Sequence, residues 1–152
     1  MTDQEQQLLI ATVADVCERF AFMFVDAPMD ATPEFDADLH RATLAFKGPR
    51  QGTLALVAPP DMAHELAGNV LGLMDPDEVT DEVAGQALAE LLNIICGELV
   101  AELFGKQVVV ELGVPEIDHV PAAEVARLTA DANTVRLMVD EESVFVTLAL
   151  TT

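Results

Sequence analysis

The sequence predicts an α+β fold in which two long helices cover one face of a mainly antiparallel sheet, and three observations lead there. Apolar residues recur at helical spacing over Gln4 to Val25 and again over the stretch that ends at Phe104. Each helical stretch is followed by β-branched runs separated by turn formers, so that about five strands are expected. The order is long helix, hairpin, short helix, then long helix, strand, hairpin, which makes residues 1–75 and 76–152 two versions of one helix-then-strands unit, alike in layout more than in letters. A chain of 152 residues suits a single domain built from those halves, since domains most often run to roughly 100 to 150 residues. Helices layered on one sheet face bury the apolar stripes of both.

In the first helix the inward stripe is Leu8, Leu9, Thr12, Val13, Val16, Phe20 and Met23, and the pattern stops before Asp26-Ala27-Pro28. After a polar connection from Pro33 to Asp38, Leu39 to Phe46 and Thr53 to Ala58 read as strands around the turn-forming loop Lys47 to Gly52. Pro59-Pro60-Asp61 ends the second strand and opens a short helix to Leu71, with Gly72 as its C′ residue. The longest helix follows Met74 to Glu78. Its N-cap is either Asp75, with Pro76 at N1, or Thr80, and Gly105-Lys106 closes it after Phe104. Val108 to Leu112 is β-branched and reads as a strand ended by Gly113-Val114-Pro115. Residues 116–132 read as a connection holding a short helix near Ala122 to Leu128. Thr134 to Val139 and Val144 to Leu150 form the last hairpin, around Asp140-Glu141-Glu142-Ser143.

Composition excludes several classes. Hydrophobic residues make up 51% of the chain and mean hydropathy is +0.34, which rules out a disordered chain and leaves some apolar surface to share with a partner. The 27 acidic against 7 basic side chains give a net charge of −20, so attraction to a phosphate backbone has no electrostatic source and anionic membranes are disfavoured. The most apolar stretch, Leu91 to Phe104, is interrupted by Asn93, Glu98 and Glu102 and falls short of the ~18 apolar residues of a membrane span. The N-terminal Met-Thr-Asp-Gln-Glu-Gln-Gln has no basic region leading into an apolar run, and the expected location is the cytoplasm.

Motifs for self-contained catalysis are missing. His40, His64 and His119 stand far apart in sequence, outside any HExxH or Cys/His run, and no metal site is expected from them. Cys17 and Cys96 lie in helical patterns without CxxC spacing and read as buried, reduced thiols. There is no GxGxxG, GxxxxGK[ST] or GxSxG, and the only serine is Ser143 in a turn. Trp and Tyr are absent, which removes an aromatic platform for nucleic-acid bases.

The long second helix carries something less generic. At about 100° per residue, Leu88, Leu91, Leu92, Ile95, Leu99 and Leu103 fall on one broad core face. On the opposite side Gln86, Glu90, Asn93 and Gly97 fall within an arc of about 60°. One carboxylate and two carboxamides thus share a stripe ending at a residue with no side chain, where another backbone or a bulky group could approach. Asn inside a helix costs propensity. The competing structural reading is a solvated face with a hydrogen bond between positions i and i+3. Glu98 and Glu102 project nearer the apolar side.

Ala87-Leu88-Ala89-Glu90-Leu91-Leu92-Asn93-Ile94-Ile95-Cys96-Gly97, followed past one strand by Gly113-Val114-Pro115, resembles the CheX/CheC/FliY chemotaxis phosphatases, and the single ExxN pair makes the chain CheX-like. The resemblance implies a CheC/CheX-like fold and hydrolysis of the aspartyl phosphate of a CheY-like receiver domain. It implies that Asn93 orients the attacking water, that Glu90 anchors the receiver's lysine, and that Gln86 and Gly97 belong to the binding surface. No cofactor or metal of its own is implied, with Mg²⁺ expected in the partner receiver. The resemblance also implies a homodimer formed through the sheets. One turn before the glutamate these phosphatases usually carry Asp or Ser, where this chain has Gln86. Matching Glu18 to Glu90 places Ala21 where Asn93 stands, so one site per chain is expected. The alternatives are a non-catalytic module that binds a receiver or switch component, and a small-ligand or scaffold domain.

Overall fold

A computed structural model describes residues 1–27, 34–72 and 78–151. The first helix, α1, spans Asp3–Ala21 and begins in a capping box: the Thr2 hydroxyl accepts from the Glu5 backbone while the Glu5 carboxylate accepts from the Thr2 backbone. It ends four residues earlier than the apolar pattern predicts. Phe22 turns left-handed at φ 56°, its N–H bonded to the Cys17 carbonyl, and Val25–Asp26 then form a short strand, β1. Met23 is still fully buried, but from this non-helical segment, and Phe20 is exposed.

The first hairpin pairs β2 (Leu39–Lys47) with β3 (Gln51–Ala58), one residue longer at the turn than predicted in β2 and two in β3. Helix α2 (Pro60–Leu71) has its proline at N1 and closes at Gly72 with φ 68°, a left-handed conformation that glycine adopts without strain. Helix α3 (Asp81–Phe104) is capped by Thr80, whose hydroxyl accepts from the Val83 backbone; the alternative cap Asp75-Pro76 lies outside the described residues, as does Pro33.

The predicted strand at Val108 to Leu112 shrinks to β4 (Glu111–Leu112), and Val109 is exposed. The predicted connection instead contains a strand, β5 (Glu116–Val120), before a 3-10 turn and the short α4 (Val125–Ala130). The last hairpin, β6 (Thr134–Val139) and β7 (Glu142–Leu150), turns on Asp140 and Glu141 alone, both at positive φ.

All strand pairs are antiparallel, in the order β1-β6-β7-β3-β2, with β4 and β5 placed one after the other along the outer edge of β2. The seam between the two halves of the chain is the β3–β7 ladder, where Leu54 faces Leu148 and Leu56 faces Val146. Alternation sorts each strand: Ala42, Leu44, Phe46, Leu54, Leu56, Val144, Val146 and Leu148 point to the helices and join Leu9, Val13, Leu88, Leu92 and Leu99 in one core. On the opposite face Leu39, Val57, Val120, Val125 and Phe145 form a smaller cluster, edged by Phe35 and Leu128. The predicted helices on one sheet face are therefore joined by a partial cover on the other.

Helix α3 is the centre of the helical layer, in contact with α1, α2 and β2. That crowding explains why ten of its residues are buried, Ala84, Gly85, Ala87, Cys96 and Val100 in addition to the predicted Leu88, Leu91, Leu92, Ile95 and Leu99; the predicted Leu103 is half-buried. No described helix is long and apolar enough to cross a membrane.

Candidate functional site

Because α1, α2 and the sheet occupy most of its circumference, α3 has a narrow stripe left to present outward. Gln86, Glu90 and Asn93 fall on that stripe and all three are exposed. None of the three side chains has a hydrogen bond or ion pair with any described residue. The i to i+3 bond expected of an inert solvated face is therefore not made, and a carboxylate and an amide one turn apart keep their full hydrogen-bonding capacity.

A second wall makes the stripe a groove. The connection Gly113-Val114-Pro115 and Ile117 of β5 stand opposite Gln86, Ala89, Glu90 and Asn93, enclosing about 390 Å³. Two glycines hold this wall in place. The Gly113 N–H donates to the Ala45 carbonyl at 2.7 Å, and a Cβ on Gly113 would stand 3.0 Å from that oxygen. A Cβ on Gly85 would meet Ile117 Cγ2 at 2.8 Å, so the absence of a side chain there lets β5 reach α3. The wall is apolar: Val114 is 87% exposed, and Ile117 43%. The site therefore pairs a polar ridge with an apolar lip, the mixture expected where one surface must both orient a partner and exclude water.

Gly97 is set apart from this groove. It is half-buried and lines an adjoining hollow of about 220 Å³ with Val100, Ala101, Val108, Val110 and Leu112 among others. A Cβ there would meet nothing within 4 Å, so no part of the described chain uses the space. Glu98, left at the edge of the apolar face by periodicity, accepts from Arg19 and ties α3 to α1. The hydrogen bonds that Arg19 donates to Asp15 and Glu98 push its guanidinium pKa further up, and the same arginine pulls Asp15 below its ordinary value. Both cysteines are free and buried; burial pushes the thiols of Cys17 and Cys96 up to about 12, which removes a thiolate nucleophile at neutral pH.

In α1, Glu18 is exposed, but Ala21 is fully buried and its carbonyl accepts from the Asn69 amide at 2.9 Å. No second carboxylate–amide pair stands on that helix at the matching positions.

The family model "Chemotaxis phosphatase CheX" matches residues 41–140, a span that contains all of α3 and the whole opposing wall. The chain belongs to the CheX family. Its fold is that of solved CheX structures. Chemotaxis protein CheX from Desulfovibrio desulfuricans is 13% identical, with TM-score 0.69 over 97% of this chain and 99% of that one. Chemotaxis protein CheX from Vibrio vulnificus is 11% identical, with TM-score 0.70 over 97% of each chain. A CheX–CheY–BeF3–Mg²⁺ complex from Borrelia burgdorferi is 16% identical, with TM-score 0.61 over 97% of each chain. At such identities the likeness shows the fold alone. No curated protein sequence matches.

Within this CheX-family chain, Gln86, Glu90 and Asn93 come together as periodicity places them, and Gly97 does not join their groove. Gly85 and Ile117 were missed. The alternation Glu116-Ile117-Asp118-His119-Val120 carries a strand signal, but its charges read as a loop; charged side chains are what an edge strand uses to stay unpaired with foreign strands.

Proposed function

We propose that this CheX-family protein hydrolyses the aspartyl phosphate of a CheY-like receiver domain, docking the receiver on the α3 ridge. The observation that carries the reading is that Glu90 and Asn93 are exposed, adjacent and uncommitted, beside a walled groove. Phosphoryl transfer through a loose transition state asks for an in-line nucleophile and charge stabilisation more than for covalent chemistry. A receiver brings its own phosphate, Mg²⁺ and lysine. A helper then has two tasks, orientation of a water and fixing of the register.

The Asn93 carboxamide enters the receiver's site and holds the attacking water through one donor and one acceptor. Water oxygen attacks phosphorus as the bond to the aspartyl oxygen breaks, leaving the receiver's carboxylate and inorganic phosphate. Glu90 pairs with the receiver's lysine ammonium and sets the angle of approach. Neither role requires a metal ion or cofactor bound by this chain. The Val114–Pro115 lip and Ile117 cover the reaction from the side, and Gln86 and the open space at Gly97 extend the contact along the helix. A homodimer through the sheets fits the small side chains Thr43, Ala45, Thr53, Ala55, Thr147 and Ala149 on the open sheet face. The cytoplasm is where such a receiver would be met.

Gln86 supports a second reading, a receiver-binding module without turnover, because it replaces the Asp or Ser usual one turn before the glutamate. Loss of labelled acyl phosphate from receivers of the same organism, with and without this protein, separates the two. Faster loss is expected; an unchanged lifetime in the presence of demonstrated binding would leave the module.

A further inference from the structure

All three histidines of the chain meet at the foot of α3, far from the Glu90–Asn93 stripe. His40 lies on the helix-facing side of β2, His64 one turn into α2, and Asp81 at the first position of α3. One ligand atom from each of these three lies within 4.8 Å of the others. The His64 Nε2 to Asp81 Oδ1 distance is 3.1 Å and the His40 Nε2 to Asp81 Oδ1 distance 3.8 Å. Ligands about 2.1 Å from a tetrahedral ion stand about 3.4 Å apart. The two edges to Asp81 bracket that value, and the edge between the imidazoles lies within 4.8 Å.

A second observation points to a ligand. His40 is 1% exposed, its Nδ1 has no partner, and its Nε2 faces the Asp81 carboxylate at 3.8 Å, beyond hydrogen-bond reach. A buried imidazole with an unsatisfied ring nitrogen is costly and calls for a missing group. His119 stands across the β2–β5 ladder from His40, its ring 4.8 Å away, outside the three-atom set.

We propose that His40, His64 and Asp81 form a site for a borderline divalent transition ion such as Zn²⁺. Two imidazoles and a carboxylate are the donor set that suits this ion class, whereas Mg²⁺ and Ca²⁺ prefer oxygen alone. Asp81 is exposed, which opens the site to solvent on one side and leaves the fourth position to water. The ion would tie β2, α2 and the first turn of α3 together, five residues before Gln86 and therefore at the base of the helix that carries the ridge.

The test is titration of the chelator-stripped full chain with Zn²⁺ against a competing chromophoric chelator, with Mg²⁺ as the control for the acidic surface. One Zn²⁺ per chain is expected, unaffected by excess Mg²⁺, together with a higher melting temperature. His64→Ala and Asp81→Asn, both surface changes that leave the core intact, should each weaken binding roughly 10- to 100-fold or more. His119→Ala should leave it within about threefold, as expected of an imidazole outside the ligand set. No saturable Zn²⁺ binding, or losses in His64→Ala and Asp81→Asn no larger than in His119→Ala, would overturn the site.

Discussion

Asn93 and Glu90 are three residues apart on an exposed helical stripe, and the stripe was visible before any coordinates because about 100° per residue places Gln86, Glu90 and Asn93 together whatever the rest of the fold does. Glu90 is argued to hold the receiver by an ion pair, so Glu90→Ala should weaken receiver binding by roughly 2 kcal/mol or more, about 30-fold, if the pair is desolvated in the complex. Titration of a receiver carrying beryllofluoride measures it; unchanged affinity would remove the anchoring role. What periodicity could not show is which groups oppose the stripe. Gly85 and Ile117 touch only because β5 pairs with the far edge of β2; His119 meets His40 for the same reason, whereas His64 reaches His40 because α2 packs on β2 and α3. Such contacts span tens of residues and leave no local mark in the sequence.

Among the elements, those with strong end signals were legible almost to the residue. Pro60 and Gly72 bound α2, Thr80, one of the two candidates, caps α3, and Thr134 to Val139 is β6 as predicted. The failures lie where local propensity and tertiary pairing disagree. The β-branched run at Val108 to Val110 stays out of the sheet because its neighbour β2 is taken up there only at Phe46 and Lys47, while the charged Glu116–Val120 pairs along five residues. Likewise α1 stops at Phe22, although the apolar pattern continues, because Met23 is needed in the core from another direction. Gly97 permits an element-level prediction. With nothing within 4 Å of its would-be Cβ, Gly97→Ala should stabilise α3 by about 1 kcal/mol and raise the melting temperature by roughly 2–4 °C. The bulkier Gly97→Leu should keep the fold and slow receiver dephosphorylation; an unaffected rate would exclude that part of the helix from docking.

For the molecule as a whole, the charge of −20 sets the response to pH. Burial and then Asp140 raise the Glu65 carboxyl pKa, and burial, Asp61 and Glu65 raise that of Glu142. A raised carboxyl pKa means that the fold takes up protons before the unfolded chain does. Stability therefore rises as pH falls from neutral through those raised values, and that gain ends near the unfolded glutamate value of about 4.3. Asp118, whose hydrogen bond from Arg41 lowers its pKa, works the other way: its contribution is present above the unfolded value and lost as pH falls through the folded one. Glu65→Gln should therefore raise the melting temperature at pH 7, and that gain over wild type should fade as pH falls through the raised value. A difference between the two proteins that does not change with pH would contradict the assignment.

The central claim, that the Asn93 amide positions water for receiver dephosphorylation, is tested most directly by comparing wild type and Asn93→Ala for the decay of receiver acyl phosphate at saturating protein. The account predicts a fall on the order of 10²- to 10³-fold in the catalysed rate with receiver affinity largely retained. Equal rates for the two proteins would contradict it.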